Sequence, residues 1–187
     1  MTQVPTYLQD ASSLLSEAGF ASGETWYHGT SSVLVDSIME QGLNGSGDQA
    51  LQQVARDTMA TIGDKAFQQT KEPVFLTQSR ELAFYWAERC VRDRSVRFEG
   101  NEQPVVLALD LPETLRQKVK PDVGAAALLM ANSDGVFEYL ETLYSRFDLV
   151  FPELDPVRAD RMEYLTKLGM AYIDQDIDSD YLRVLTD

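Results

Sequence analysis

The spacing of apolar residues in the first half of the chain alternates between a strand pattern and a helix pattern. Residues 25–27 are β-branched or aromatic, which predicts a strand, and the glycine at position 29 ends it. The next apolar residues recur at i, i+3 and i+4, which predicts a helix that stops at Gly42. These apolar residues are Leu34, Val35, Ile38 and Met39. Residues 25–42 are therefore predicted to form a strand, a short polar segment and a helix.

The same order of elements returns further along the chain. Residues 74–79 predict a second strand that ends at Ser79, a favourable N-cap for the helix that follows. Residues 104–111 are apolar up to Asp110 and predict a buried strand at the centre of a sheet. Near the C terminus, residues 170–174 and 181–185 predict two short strands that pair as a hairpin or within one sheet.

Helical spacing predicts further helices around these strands. We expect an N-terminal helix in residues 1–23 and a helical insertion, capped by Asp48, in residues 44–70. The insertion is either a lid or a packing helix, with Leu51, Val54, Met59, Ile62 and Phe67 facing inward. Later helices are predicted at 125–130, 133–147 and 155–169. The length of the chain predicts one domain that spans residues 1–187.

Composition and charge narrow the range of partners. With 187 residues and 44% hydrophobic content, the chain is long enough to bury one proper core. The formal net charge of −14 repels phosphate backbones and anionic membranes, so we expect no nucleic-acid partner. The same charge suits a basic protein partner, a halophilic host or mimicry of nucleic acid, and the sequence leaves these three open.

The compartment follows from the cysteine content and from the N terminus. Cys90 is the only cysteine, so no intrachain disulfide forms and a reducing compartment is indicated. One histidine and one cysteine cannot build a zinc site of the usual kind. No secretory signal pattern is present, and the longest apolar run, 125–131, is too short to cross a bilayer. We expect a soluble, cytoplasmic protein.

Two ring side chains stand out as candidates for chemistry. His28 is the only histidine and precedes a glycine and two hydroxyl residues, so it is either a ligand-binding or a structural histidine. Tyr85 falls outside the apolar stripe of its predicted helix, so it points sideways, either as boundary packing or as a stacking residue. A run of arginines follows, either as a solvated helix end or as compensation for a diphosphate. The run comprises Arg89, Arg92, Arg94 and Arg97.

The order of these motifs resembles the ADP-ribosyltransferase superfamily. The motifs are Tyr-His-Gly-Thr at 27–30, a helix ending in Gly-Leu at 42–43, Val-Phe-Leu-Thr at 74–77, Ala-x-Tyr-x-Ala at 83–87 and Val-Val-Leu-Ala-Leu-Asp-Leu at 105–111. The likeness is closer to the His-Tyr-acid branch, the poly-ADP-ribose polymerases and diphtheria-toxin-like enzymes, than to the Arg-Ser-Glu branch. It covers residues 25–111 and the C-terminal tail. It implies an α+β fold whose core is a split antiparallel sheet of the ADP-ribosyltransferase type with helical insertions.

The resemblance also implies a substrate and a site. NAD would be the substrate, His28 would orient its ribose, and the backbone of Gly29 would hold the carboxamide. Tyr85 would stack on the nicotinamide ring. The other expected NAD-binding residues are Tyr27, Thr30 and Ser79. These roles suit the chemistry, because positive charge develops on the ribose as nicotinamide leaves, and the reacting carbon must be held in place.

The third catalytic residue of the family pattern is a glutamate at the head of a late strand, and no glutamate stands there in this chain. Asp180, directly before residues 181–185, occupies the corresponding place, with one methylene less reach. Its rivals from the same acidic turn are Asp174, Asp176 and Asp178. Glu138 has a similar local sequence, but helical spacing around it indicates a surface carboxylate. Asp180 is therefore the expected acid.

The resemblance predicts an NAD-dependent mono-ADP-ribosyltransferase that modifies a macromolecular or a small acceptor. A basic protein is one acceptor that the charge favours. A single acidic enzyme domain is by association, and not on physical grounds, linked to a bacterial toxin, an effector delivered into a host cell or a phage counter-defence factor. Two alternatives remain open. One is an NAD-dependent RNA 2′-phosphotransferase, against which the acidic charge speaks. The other is a non-catalytic acidic interaction protein, either an inhibitor or a nucleic-acid mimic.

Overall fold

The computed structural model of the chain describes residues 3–21, 25–45, 48–61, 72–124, 135–155 and 157–186. Within these ranges the strands are β1 (Leu15–Ser16), β2 (Gly19–Phe20), β3 (Trp26–Ser31), β4 (Val74–Thr77), β5 (Pro104–Leu109), β6 (Lys120–Pro121), β7 (Met170–Ile173) and β8 (Leu182–Val184). The α-helices are α1 (Ala11–Leu14), α2 (Val35–Gln41), α3 (Gln49–Thr61), α4 (Arg80–Ser95), α5 (Glu113–Arg116), α6 (Val136–Arg146) and α7 (Arg161–Leu168). Short 3₁₀ turns lie at Thr6–Leu8, Ser32–Leu34 and Ser179–Tyr181.

Six strands form one sheet in the order β6–β7–β4–β3–β5–β8, and β1 pairs with β2 in a separate hairpin. Every pairing between named strands is antiparallel. The predicted α+β class with an antiparallel sheet is therefore confirmed, and β5 lies inside the sheet between β3 and β8, as its apolar run predicts.

Strand β3 is held differently on its two edges. On one edge all six residues pair with β5, from Trp26 opposite Leu109 to Ser31 opposite Pro104. On the other edge the described ladder with β4 consists of one pair, Tyr27 opposite Thr77. The two halves of the sheet are thus joined at the centre by a single pair of residues.

Helices cover both faces of the sheet. Helix α4 packs on β3 and β5 through a cluster that joins Ala83 and Phe84 to Val106 and to Leu8 of the N-terminal segment. On the opposite face, α2 contributes to a cluster that contains Trp26, Leu76, Leu109, Ile38 and Met39. A third cluster packs α6 and α7 against the outer side of α4 and has Leu82, Leu140, Leu143 and Leu168 at its centre.

The predicted pairing of the two C-terminal strands is wrong. Strand β7 pairs with β4 and β6, whereas β8 pairs with β5, so three strands separate them. The connection does not form a tight turn, because Ile177 in its middle is buried and bridges to Leu43 after α2. Because Ile177 is buried beside Leu43, the connection crosses the sheet, and β8 lies at the edge next to β5.

The prediction of a helix throughout residues 1–23 is also wrong. The α-helix is confined to Ala11–Leu14, because the chain turns extended at Leu15 and then forms the β1–β2 hairpin. Gly19 has a φ of +111°, and a Cβ there would lie 2.2 Å from the carbonyl oxygen of Thr166, so close packing on α7 excludes a helical continuation.

The helix predicted to begin at Asp155 begins instead after Asp160. Asp160 and Glu163 form a reciprocal capping box, in which each side chain accepts from the other residue's backbone N–H. This cap is a stronger start than the upstream Asp155–Pro156 sequence, of which Pro156 lies outside the described residues. The predicted end at Gly169 is confirmed, and its φ is +64°.

The helical insertion is present as α3, and Asp48 accepts a hydrogen bond from the Ala50 N–H at 3.0 Å, as its predicted cap role requires. Val54 is 36% exposed, so its predicted inward position is wrong. The other predictions for this region and for 125–134 lie outside the described residues or side chains. None of the described helices combines the length and apolarity needed to cross a bilayer.

Candidate functional site

His28 bridges the two strands that diverge at the centre of the sheet. Its Nδ1 lies 2.9 Å from the carbonyl oxygen of Phe75 on β4. A carbonyl oxygen only accepts, so Nδ1 carries the proton and Nε2 is left as an acceptor in the neutral ring. Burial lowers the pKa of His28 below its ordinary value of 6.5, although the bond to Phe75 opposes this. The ring is therefore neutral at pH 7.

The backbone of Gly29 is directed into the gap beside this ring. Just after β3, the Ser32 N–H donates to the backbone oxygen of Gln103, which precedes β5. In an antiparallel pair, every second residue of a strand directs its N–H and C=O to the same neighbouring strand. His28 and Thr30 therefore also direct their backbone groups towards β5. Tyr27 and Gly29 consequently turn theirs towards β4. Because the β3–β4 ladder ends at Tyr27, the N–H and C=O of Gly29 point towards β4 beyond the last backbone pair, and we refer to this place as the gap.

Packing against α4 explains why position 29 is glycine. A Cβ there would lie 2.0 Å from the carbonyl oxygen of Ala83 and 2.6 Å from the backbone nitrogen of Ala87. The helix backbone thus rests directly on the strand. Alternation along the strand places the His28 side chain on the opposite face of β3.

The remaining residues around this strand are mostly committed to packing. Tyr27 packs beside Ala83 and Phe84, and burial raises its pKa. Thr30 is buried. Ser79 is fully buried, accepts from the Leu82 N–H at 3.4 Å and donates to Asp10 at 2.7 Å. The predicted N-cap role of Ser79 is confirmed.

Tyr85 lies in different surroundings from His28. Its ring stacks on Tyr139 of α6 at a centroid distance of 4.6 Å and meets Trp86 edge-on at 5.3 Å. Tyr85 also lines a cavity of about 430 Å³ along the outer side of α4, and Arg89 and Arg92 lie on the same helix face. The structure therefore carries Tyr85 and His28 on opposite sides of β3, and the stacking role of Tyr85 stays a prediction.

Asp180 lies at one end of the sheet. It is exposed in the 3₁₀ turn before β8, where its N–H donates to Asp178 at 3.0 Å. Pairing through β5 puts Val184 of β8 level with His28. Asp180 is four residues further along, which is about 13 Å at 3.3 Å per residue. The assignment of Asp180 stays a prediction, and the described part of β8 presents no carboxylate level with His28.

The rival carboxylates are engaged elsewhere or exposed. Asp174 pairs with Lys120 at 2.7 Å, and Asp176 accepts from the Gly45 N–H at 3.0 Å. Asp178 caps the 3₁₀ turn. Glu138 lies exposed on the first turn of α6, as helical spacing predicts.

A buried ion network at the far end of β3 was missed by sequence reasoning. Arg94 pairs with Asp48, and its Nε donates to Glu102 at 2.7 Å. The same Glu102 oxygen accepts from the Ser31 hydroxyl at 2.6 Å. The Arg94 guanidinium holds the pKa of Glu102 below its usual range. In the sequence only the arginine run indicated this network, because the acidic partners of Arg94 come from other parts of the chain.

A second buried cluster, at the start of α4, was also missed. Glu81 is fully buried and pairs with Arg146, while its other oxygen, Oε2, has no hydrogen-bond partner among the residues that the structure describes. Burial raises the pKa of Glu81. The buried side-chain amide of Gln78 likewise finds no partner within the described ranges. Asp10, from the N-terminal segment, accepts from the Arg80 N–H at 2.8 Å and thereby caps this helix end.

Among the described residues, no group of three or more histidine, cysteine or acidic side chains is arranged to hold a metal ion. Comparison with protein-family models, with curated proteins and with solved structures gives no match. The class that can be stated is therefore an α+β protein with a six-stranded antiparallel sheet.

Proposed function

We propose that this chain is an NAD-dependent ADP-ribosyltransferase that transfers a single ADP-ribose to an acceptor, with the nicotinamide ribose bound at the gap between β3 and β4. One observation carries the proposal. A neutral histidine is fixed across a break in the central sheet, by a bond that leaves its Nε2 able to accept from a hydroxyl.

The proposed role of His28 follows from its hydrogen bonding. A ribose hydroxyl is a donor that Nε2 of the neutral ring accepts, and the bond to Phe75 holds the ring in one tautomer and one direction. A fixed contact of this kind orients the ribose carbon for attack, which lowers the entropic part of the barrier.

The proposed role of Gly29 follows from the direction of its backbone. A carboxamide offers an N–H donor and a C=O acceptor, which complement the C=O and N–H that Gly29 turns towards the gap. The nicotinamide would then lie beside β4, and its ribose would reach the His28 ring on the neighbouring residue.

In the proposed reaction the bond between the ribose carbon and the nicotinamide nitrogen breaks, and nicotinamide leaves with the bonding electron pair. A nucleophilic atom of the acceptor forms the new bond to that carbon, and its proton passes to water. The positive charge that develops on the ribose requires a nearby carboxylate for large rate enhancement. Asp180, the acid that the resemblance predicts, is the candidate source of that carboxylate, although the register puts it about 13 Å along the strand from the level of His28.

Release of nicotinamide tests this proposal. The chain is incubated with NAD, free nicotinamide is measured, and thermal stability is titrated with NAD in parallel. We expect nicotinamide release and a stability gain of about 2.7 kcal/mol at a hundredfold excess of NAD over Kd. His28→Phe keeps a ring of similar size and should abolish both effects. Asp180→Asn should lower turnover and leave NAD affinity nearly unchanged. Asp176→Asn is the matched control from the same acidic connection.

A non-catalytic interaction protein is the second candidate, and the register favours it. Val184 stands level with His28 on β8, so the described strand offers no acid there. The net charge of −14 would then serve a basic partner. On this alternative NAD neither changes thermal stability nor yields nicotinamide, and partner binding weakens steeply as salt is added.

A further inference from the structure

A second candidate site lies along the outer side of α4, away from the His28 gap. A cavity of about 430 Å³ is lined there by five polar or aromatic side chains, among others. They are Tyr85, Glu88, Arg89, Arg92 and Glu102. This volume falls in the range of small-molecule sites. Apart from Tyr85, which the resemblance predicts to stack on nicotinamide, none of these residues is assigned to the NAD site.

The chemistry of the lining changes in a fixed order along the helix. Tyr85 lies at one end of the face, Arg89 follows one turn later and Arg92 comes three residues beyond it. At 1.5 Å per residue, the aromatic ring and the last arginine are about 10 Å apart along the axis. Glu102 lies beyond them, beside the Arg94 end of the helix.

Glu102 is a fixed acceptor. Its Oε2 is held by the Ser31 hydroxyl at 2.6 Å and by Arg94 at 2.7 Å, and its side chain is only 9% exposed. The contact with Arg94 keeps the pKa of Glu102 low, so the group is ionised at neutral pH. Both bonds use the same oxygen, and Glu102 lines the cavity, so Oε1 is the oxygen that a ligand can reach.

The two arginines offer the complementary chemistry. The Arg89 guanidinium lies 5.8 Å from the centre of the Trp86 ring, which restrains its direction. Arg92 is exposed on the same face. Arginine binds phosphate oxygens through paired, charge-assisted hydrogen bonds. Glu88 shares the lining and weakens the positive potential, so a bare anion is not the best ligand.

We propose that this cavity binds a sugar phosphate, with the phosphate on Arg89 and Arg92 and a sugar hydroxyl donating to Oε1 of Glu102. A cation pair and a fixed carboxylate together select a ligand that carries both an anionic group and a hydroxyl donor. The contacts assigned to the sugar phosphate use Arg89, Arg92 and Glu102 and neither His28 nor Gly29, so they can be tested separately from NAD turnover.

Calorimetric titration of the whole chain with ribose 5-phosphate, inorganic phosphate and ribose tests the proposal. We expect ribose 5-phosphate to bind more tightly than either of its two parts. Arg92→Ala should weaken ribose 5-phosphate and phosphate alike, by about tenfold. Arg97→Ala is the matched control, since Arg97 bonds to the Asp93 carbonyl oxygen on the same helix, outside the cavity lining, and should change neither affinity.

Two glutamate variants are expected to change the affinity for ribose 5-phosphate in opposite directions. In Glu102→Gln, the amide oxygen should accept from Arg94 and Ser31, so the amide NH2 group would face the cavity. It should therefore weaken ribose 5-phosphate about tenfold while inorganic phosphate binds equally or better. Glu88→Gln should strengthen both ligands. His28→Phe should leave ribose 5-phosphate binding unchanged, which separates this site from the proposed NAD site.

Three results would overturn the proposal. One is the absence of ribose 5-phosphate binding at millimolar concentration to a chain that unfolds cooperatively. Another is equal losses from Arg92→Ala and Arg97→Ala, which would indicate a diffuse charge effect. The third is parallel weakening of ribose 5-phosphate and phosphate by Glu102→Gln, which would mean that the carboxylate does not contact the sugar.

Discussion

The two edges of β3 differ in how completely they pair with the neighbouring strands. The β5 edge is closed along its whole length by six backbone pairs and is extended by the bond between Ser31 and Glu102. The β4 edge has one backbone pair and one side-chain bond, from His28 to Phe75. A closed edge holds the strand in register, whereas an open edge directs backbone donors and acceptors towards a ligand.

This difference is maintained by the elements that surround the strand. Helix α4 rests on Gly29 from one face, so the strand cannot close on β4 by tilting without displacing the helix. At the far end, Arg94 ties the segment before β5 to Asp48 at the start of α3. The β5 side of β3 is thus held by backbone pairs and ion pairs, whereas fewer contacts hold the β4 side.

The largest effect is expected from Arg94→Met. It removes the cation that both Asp48 and Glu102 contact, and their side chains are only 11% and 9% exposed, so the free energy of unfolding should fall by about 3 kcal/mol in chemical denaturation. Arg183→Ala is the control, because its 3.8 Å contact with Asp110 is more than half exposed and should contribute less than about 1 kcal/mol. Equal, small losses from both would show that the β5 edge does not depend on this network.

The next effect is expected from Gly29→Ala. The added Cβ would overlap the Ala83 carbonyl and the Ala87 nitrogen, so we expect a loss of about 3 kcal/mol in the free energy of unfolding. Gly124→Ala is the matched control, because the nearest atom there is a side-chain oxygen of Asp122 at 3.0 Å, which can move. A tolerated Gly29→Ala would contradict the direct contact between α4 and β3.

A smaller effect, which depends on pH, is expected from His28→Phe. The variant loses one hydrogen bond across the gap, which contributes about 1 kcal/mol at neutral pH. Because the folded-state pKa of His28 lies below 6.5, the unfolded chain gains a proton that the folded chain does not as the pH falls through 6.5. Wild-type stability should therefore drop in that window, and the advantage over the variant should shrink. If the stability advantage of the wild type over His28→Phe grew as the pH fell, the pKa of His28 would be raised by folding and not lowered.

Local patterns predicted the elements that depend on local physics. The caps at Ser79 and Asp48, the apolar strand β5 and the stop at Gly169 were all predicted from neighbouring residues. The hairpin of β7 and β8 was not correct, because the partner of a strand is chosen by burial across the whole chain. The burial of Ile177 against Leu43 separates β7 from β8, and the acidic residues around Ile177 do not indicate that it is buried.

The candidate site could be predicted only in part for the same reason. His28 and Gly29 stand together in the sequence, so their neighbourhood was visible from it. Their distance from Tyr85 depends on which face of β3 receives α4, and the sequence near either residue does not determine that. Nothing in the sequence around Glu102 indicates its role, because its partners Ser31 and Arg94 come from two other elements.

Amide hydrogen exchange at β3, followed by NMR with and without NAD, tests the central claim most directly. In the free chain the Gly29 amide, which faces the gap, should exchange at least tenfold faster than that of Thr30, which faces β5. Saturating NAD should slow the Gly29 amide and leave Thr30 unchanged. Equal protection of both amides in the free chain, or a Gly29 amide that NAD does not affect, would contradict an open, ligand-binding edge at His28.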